Sequence, residues 1–233
     1  MDSRTEILET IKKALVDVDR SQTKEPTLEL SEIWERRGVS REELIQTFST
    51  NLKSVAGEAI VCSSPEDAIQ KIAAFLNDLP PRKDQTTERK LGVYGSELIA
   101  SVLDALKGAA KDWTFLFAPE DPDADPKFYE TMSASIVSPL VLLADTGSCA
   151  VEARCAFERF LCYLSPVCLV LASAQSLREH LPDAWSEIES KMRANQNGEV
   201  AIITGPSRTA DIEKKLVLGV HGPQKLIVFL IND

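Results

Sequence analysis

The sequence has no surplus of positive charge, no long apolar run and no closely paired cysteines, and each absence removes a class of function. Its 233 residues carry 26 Lys and Arg against 36 Asp and Glu, a net charge of -10, so no broad nucleic-acid surface is expected, because phosphate binding draws on clustered cations. The short basic groupings at Lys12-Lys13, Arg82 to Lys90 and Lys214-Lys215 have acids within or beside them and read as solvated faces. No run approaches the length of a membrane span, and MDSRTEILETIKKAL lacks the apolar stretch and small-residue cleavage site of a secretory signal. A cytoplasmic protein is expected.

The five cysteines are odd in number, which argues against a disulfide framework. Cys149, Cys155, Cys162 and Cys168 are separated by five, six and five residues rather than the two that let neighbouring thiolates grip one metal. They are expected to be buried small hydrophobes, with no metal and no cofactor held by this chain. Dinucleotide and Walker fingerprints are also missing. Asp121, Asp123 and Asp125 imitate the start of a calcium loop, but Pro126 stands where glycine is needed and Met132 where a bidentate acid is needed. That stretch reads as a solvated acidic loop.

With 44% hydrophobic residues the chain can bury one sizeable core. Ser3-Arg4-Thr5-Glu6 is a capping box opening a helix to about Val18, with Ile7, Leu8, Ile11, Leu15 and Val18 on one stripe. Beyond the polar stretch Asp19–Glu29, Ser40-Arg41-Glu42-Glu43 is a second capping box, and Leu44, Ile45, Phe48, Leu52 and Val55 continue its helix. Residues 1–56 thus form a helical extension, whose stripes must cover the main domain or a partner, and residues 57–233 an α/β domain.

In that domain short apolar runs alternate with helices. Strands are expected at Ala59–Cys62, Leu91–Tyr94 and Thr114–Phe117, and helices at Ala68–Leu76 and Leu98–Leu106, the first opened by Ser64-Pro65-Glu66-Asp67. The alternation implies parallel pairing with helical crossovers. Leu140–Ala144 and Cys149–Ala153, joined by Asp145-Thr146-Gly147-Ser148, read as an antiparallel pair inside a mixed sheet. A strand at Val167–Ala172 and a helix from about Gln175 to Arg193, interrupted near Pro182, follow. His180 falls in that helix and reads as a surface residue. Gly95-Ser96-Glu97 reads as a helix cap rather than an anion cradle, since no basic side chain accompanies it.

The richest segment is Val200–Ile231, in which two Gly-Pro loops are enclosed by two apolar strands. A strand, Val200–Thr204, enters Gly205-Pro206-Ser207-Arg208-Thr209, after which Ala210–Leu216, with Asp211 in its first turn, reads as a short helix. Backbone amides at a helix start make an anion site, and Arg208 adds a planar clamp for a carboxylate or phosphate. The second loop, Gly219-Val220-His221-Gly222-Pro223, offers His221 as an acid–base or hydrogen-bonding candidate. The same residues also fit a structural account, in which Arg208 forms a buried ion pair with Asp211 or Asp145.

The run Thr204-Gly205-Pro206-Ser207-Arg208-Thr209-Ala210-Asp211-Ile212-Glu213, followed by Gly219-Val220-His221-Gly222-Pro223 and preceded by Ala144-Asp145-Thr146-Gly147-Ser148, resembles the LUD-domain family, and within it the short C-type lactate utilisation proteins (the LutC/YkgG group). The resemblance covers roughly Glu58 to Ile231. It implies a three-layer α/β fold with a mixed, mostly parallel sheet, as in sugar-phosphate isomerases and coenzyme A transferases (NagB/RpiA-like). It also implies a role beside iron–sulfur subunits in oxidising L-lactate to pyruvate. The larger B type carries ferredoxin-like cysteine runs that this chain lacks, so iron–sulfur clusters are expected in partner subunits. The site this implies gathers Asp145, Thr146, Gly147, Gly205, Ser207, Arg208, Thr209, Asp211, His221 and Gly222. The alternative is a stand-alone enzyme on a phosphorylated or coenzyme A-linked substrate, for which Glu152 is the acid on a strand nearest the Asp145 turn.

Overall fold

The alternation of apolar runs with amphipathic helices produces a six-stranded, wholly parallel sheet. The structure, a computed structural model, describes residues 3–16, 38–80, 88–118, 131–194, 199–210, 216–218 and 222–233. The chain divides into two units, Met1–Arg37 and Gly38–Asp233. In the first, helix α1 spans Ser3–Val16 with Ile7, Leu8 and Ile11 exposed.

The second unit opens on α2, Arg41–Ser54, where the expected capping box forms: the Ser40 hydroxyl accepts from the Glu43 amide, and the Glu43 carboxylate accepts from the Ser40 amide. Ile45, Phe48 and Leu52 point into the core. Grouped by its sequence with the extension 1–56, α2 packs as part of the main unit.

The central sheet has the order β1-β12-β7-β4-β2-β3. It comprises β1 (Glu58–Cys62), β2 (Arg89–Val93), β3 (Trp113–Leu116), β4 (Ala134–Val137), β7 (Val167–Ser173) and β12 (Lys225–Ile231). Helices α3 (Pro65–Asp78) and α4 (Glu97–Ala109) are the crossovers after β1 and β2 and pack on each other. Ser64 caps α3 with Pro65 in its first turn, as its sequence implies. The middle strands β7 and β12 are almost wholly buried, which is why both read as unbroken apolar runs. Strand β4, also central, is only four residues long, carries Ser135 within it and follows Ser133, too weak a pattern to single out in the sequence.

The antiparallel pair lies outside this sheet. Strands β5 (Val141–Leu143) and β6 (Ser148–Ala153) belong to a second sheet of order β8-β5-β6-β9, completed by β8 (Leu177–Arg178) and β9 (Glu199–Ile203). The period of two assigns its faces. Leu142, Cys149 and Val151 join the main core, whereas Val141, Leu143 and Ala150 form a separate cluster with Ala184 and Ile188.

Those last two residues lie on helix α6, Leu181–Ala194, which corrects the longer helix expected from Gln175. Ala174–Ser176 make a 3₁₀ turn, Leu177 and Arg178 pair with β5, and the helix starts only at Leu181. Pro182 then sits in the first turn, where its missing N–H removes no helical bond. A short helix, α5 (Ala156–Leu161), follows β6.

A further correction concerns Ala210–Leu216. Strands β10 (Arg208–Ala210) and β11 (Leu216–Leu218) pair antiparallel, so both ends of the expected helix are extended. So short a helix is marginal by itself, whereas the hairpin pairs the backbone groups of both arms. Residues 211–215 lie outside the described residues, as do residues 119–130, which hold the acidic loop, and residues 17–37.

Cys62, Cys149, Cys162 and Cys168 are buried and Cys155 is exposed. Burial pushes the thiols of Cys149, Cys162 and Cys168 well above the usual range, Cys168 to about 12. Among the described residues no group of His, Cys, Asp and Glu is placed to hold a metal ion, and no helix is long and apolar enough to cross a membrane.

Candidate functional site

The C-terminal end of α2 is the surface on which two glycine turns close. Gly147 adopts φ 65°, and a Cβ there would lie 2.3 Å from the backbone nitrogen of Leu52. Gly205 adopts φ 73°, and a Cβ there would lie 2.5 Å from the carbonyl oxygen of Val55. Only glycine combines the left-handed backbone with so close an approach. Asn51 completes the platform, its Nδ2 donating to the carbonyls of Ala144 (2.8 Å) and Asp145 (3.0 Å).

The third loop leads into β12. The Ser207 amide donates to the Pro223 carbonyl over 2.8 Å, and a Cβ on Gly222 would come within 2.8 Å of Ser207 Cβ. The Asp145 turn, the Gly205 loop and the Gly222-Pro223 turn are thus brought together. Arg208 opens β10 opposite Leu218 and its side chain is exposed. Because this loop feeds a strand, no helix dipole adds to the cation there. Thr209 lies next to it in β10, while Asp211 and His221 lie outside the described residues.

Side chains tie the first two loops into one chain of hydroxyls. Thr146 Oγ1 donates to Asp145 Oδ1 (3.3 Å), Ser148 Oγ donates to Thr146 Oγ1 (2.7 Å), and Ser148 Oγ meets Thr204 Oγ1 at 2.7 Å. The other oxygen of Asp145 faces Nδ1 of His180 at 3.1 Å, and Nε2 of that ring stands 3.5 Å from Glu179 Oε1. His180 is therefore no surface residue of a helix: it precedes α6, is largely buried, and holds the acid of the turn. Asp145 is committed to His180, so the ion pair with Arg208 envisaged for it does not form. Among the described residues Arg208 pairs with no acid.

A second polar cluster stands at the carboxyl end of β2. Ser96 caps α4, as expected, by accepting from the Ile99 amide. A basic side chain does accompany this turn: Arg154 donates to the Gly95 carbonyl, stacks over the Tyr94 ring at 5.3 Å, and pairs with the buried carboxylate of Glu158. The hydrogen bond and charge of Glu158 drive the Arg154 guanidinium further toward its charged form, and burial pushes the Tyr94 phenol up to about 12. The amide, Nε and Nη2 of Arg154 all donate to protein groups, so the cluster locks a turn. Glu152 lies on β6 of the small sheet, not on a strand of the parallel sheet where a transferase-like glutamate is sought.

Sequence pattern missed Asn51, Ser148, Thr204 and His180 as members of the site, since each is ordinary for a helix, strand end or cap. The clue available to it was local: a polar Asn51 beside Leu52 and Val55 on an otherwise apolar stripe.

Comparisons with known proteins agree with this architecture. A family model described as the LUD domain matches residues 45–231. Lactate utilization protein C of Bacillus pumilus is 24% identical over 204 residues, covering 86% of this chain and 83% of that protein. Its counterpart in Geobacillus thermodenitrificans is 25% identical, covering 84% of this chain and 81% of that protein. With lactate utilization protein C of Bacillus velezensis the identity reaches 64% over 31 residues, 13% of each chain. The crystal structure of a DUF162 family protein from Deinococcus radiodurans shares the fold, with a TM-score of 0.55 at 15% identity, covering 83% of this chain and 99% of that one. The match to residues 45–231, which takes in most of α2, both sheets and all the loops of the site, shows that the chain belongs to the LUD domain family.

Proposed function

We propose that this protein serves lactate utilisation as a ligand-binding or assembly subunit of an iron–sulfur L-lactate oxidation system, with the clusters held by partner subunits. The relatives named lactate utilization protein C support the pathway. The observation that carries the binding role is the convergence of the Asp145, Gly205 and Gly222 loops beside an exposed Arg208. In a chain of net charge -10, an exposed guanidinium that pairs with no acid among the described residues suits a small carboxylate, which it can grip in a bidentate manner. His180, oriented by Asp145, suits proton exchange or a hydrogen bond at the same turn.

The test is genetic and biochemical. Deletion of the gene is expected to abolish growth on L-lactate, and a complementing Arg208→Ala chain to restore it poorly. Affinity purification of the tagged full chain from lactate-grown cells is expected to recover cysteine-rich partners with iron–sulfur absorption. Unimpaired lactate growth after deletion, with no such partner recovered, would overturn the proposal.

A further inference from the structure

The protons in the hydroxyl chain of the site can be counted. A serine or threonine hydroxyl has one proton to donate, and an ionised carboxylate only accepts. Thr146 gives its proton to Asp145, so its oxygen accepts from Ser148. Ser148 has then used its proton, and its 2.7 Å contact with Thr204 must be supplied by the Thr204 hydroxyl. Every proton in the series points inward toward Asp145, whose second oxygen is occupied by His180. Ser148 is 2% exposed, which seals the middle of the chain from water, while Thr204 at its outer end is exposed.

Thr204 therefore presents only lone pairs to whatever enters the loop. We infer that the outward face of Thr204 is a hydrogen-bond acceptor selecting ligands that donate a hydroxyl, so that the site takes 2-hydroxycarboxylates in preference to 2-oxocarboxylates. This rests on the proposed binding role, with the carboxylate received by Arg208 on the same loop. A 2-hydroxy acid donates its hydroxyl to Thr204. A 2-oxo acid sets its carbonyl lone pairs against those of Thr204 and leaves both unsatisfied. The preference is specified by Asp145, two hydroxyls away from the ligand.

The experiment titrates the purified full chain with L-lactate and with pyruvate, by calorimetry or ligand-observed NMR. One net hydrogen bond corresponds to a preference for lactate of about tenfold. Thr146→Val breaks the series at an exposed residue and lets Ser148 donate to Thr204, freeing the Thr204 proton to turn outward; the preference is expected to fall toward parity. Ser148→Ala is expected to do the same, and Thr146→Val keeps the test alive if the buried substitution impairs folding. Arg208→Ala is expected to weaken both acids alike. Equal binding of the two acids, tighter binding of pyruvate, a preference surviving Thr146→Val, or binding of neither acid overturns the inference. A strain needing the chain for lactate growth, whose protein binds both acids alike, rejects the acceptor assignment and spares the proposed function. Selective binding with growth indifferent to deletion does the reverse.

Discussion

Replacing Gly147 by alanine tests whether the Asp145 turn is seated on α2 as described. The residue has φ 65°, which costs an L-residue about 1–2 kcal/mol. The new methyl would also stand 2.3 Å from Leu52 N, 2.6 Å from Leu52 Cα and 2.8 Å from the Asn51 carbonyl carbon. All three are backbone atoms of a capped helix, so no side-chain rotation relieves the clash, and overpacking of this kind costs about 1–3 kcal/mol more. A total of about 2–5 kcal/mol is expected, against typical domain stabilities of about 5–15 kcal/mol. Gly38 is the internal control, because its φ is 60° but a Cβ there meets nothing within 4 Å. Gly38→Ala thus carries the backbone term alone. Urea unfolding of the full chain, followed by far-UV circular dichroism, gives both values from the shift in midpoint at constant slope. Gly147→Ala is expected to exceed Gly38→Ala by at least about 1 kcal/mol, and equal losses would refute the seating of the turn on Leu52.

Arg154 and Glu158 should respond unequally, because the Arg154 side chain is 47% exposed and that of Glu158 only 6%. Arg154→Ala strands a buried carboxylate and is expected to cost about 3 kcal/mol, whereas Glu158→Ala lets the guanidinium turn to water and is expected to cost roughly 1 kcal/mol; the reverse order in denaturant unfolding rejects this account. Among five cysteines, Cys155 is the exposed one, so a thiol reagent is expected to label one site rapidly in the native protein and five after unfolding. Tyr94, with its phenol raised to about 12 by burial and by Glu158, holds its proton more tightly folded than unfolded. Its contribution to stability is complete below the ordinary tyrosine value of about 10 and is lost as pH rises toward about 12. Tyr94→Phe should flatten that alkaline limb, as read by unfolding midpoints between the two values.

The elements specified within a few residues of chain are legible in the sequence alone. The Ser40 capping box, the Ser64-Pro65 helix start, the Ser96 cap and the apolar runs of β7 and β12 all follow from local hydrogen bonding and burial on both faces. So did the Gly-rich loops, since glycine marks left-handed backbone whatever it packs against. The helix expected over Ala210–Leu216 failed because weak local propensity was outweighed by pairing with a second arm, Leu216–Leu218. His180 was misplaced for a similar reason, as Leu177 and Arg178 were drawn into an edge pairing with β5.

By itself the sequence determined that the chain is an acidic α/β protein with parallel crossovers, that its cysteines make no metal motif, and that three polar turns carry its distinctive residues. Only the tertiary structure decided that two of those turns close on α2 and the third on Ser207, that Asp145 faces His180 rather than Arg208, and that Thr204 ends a chain of inward-pointing protons. The decisive hydrogen bonds join residues 93 positions apart for Asn51 and Ala144, 56 for Ser148 and Thr204, and 35 for Asp145 and His180. Such contacts leave no mark in local periodicity, because a hydroxyl or amide that caps a turn and one that joins two distant segments are the same residue until the chain closes.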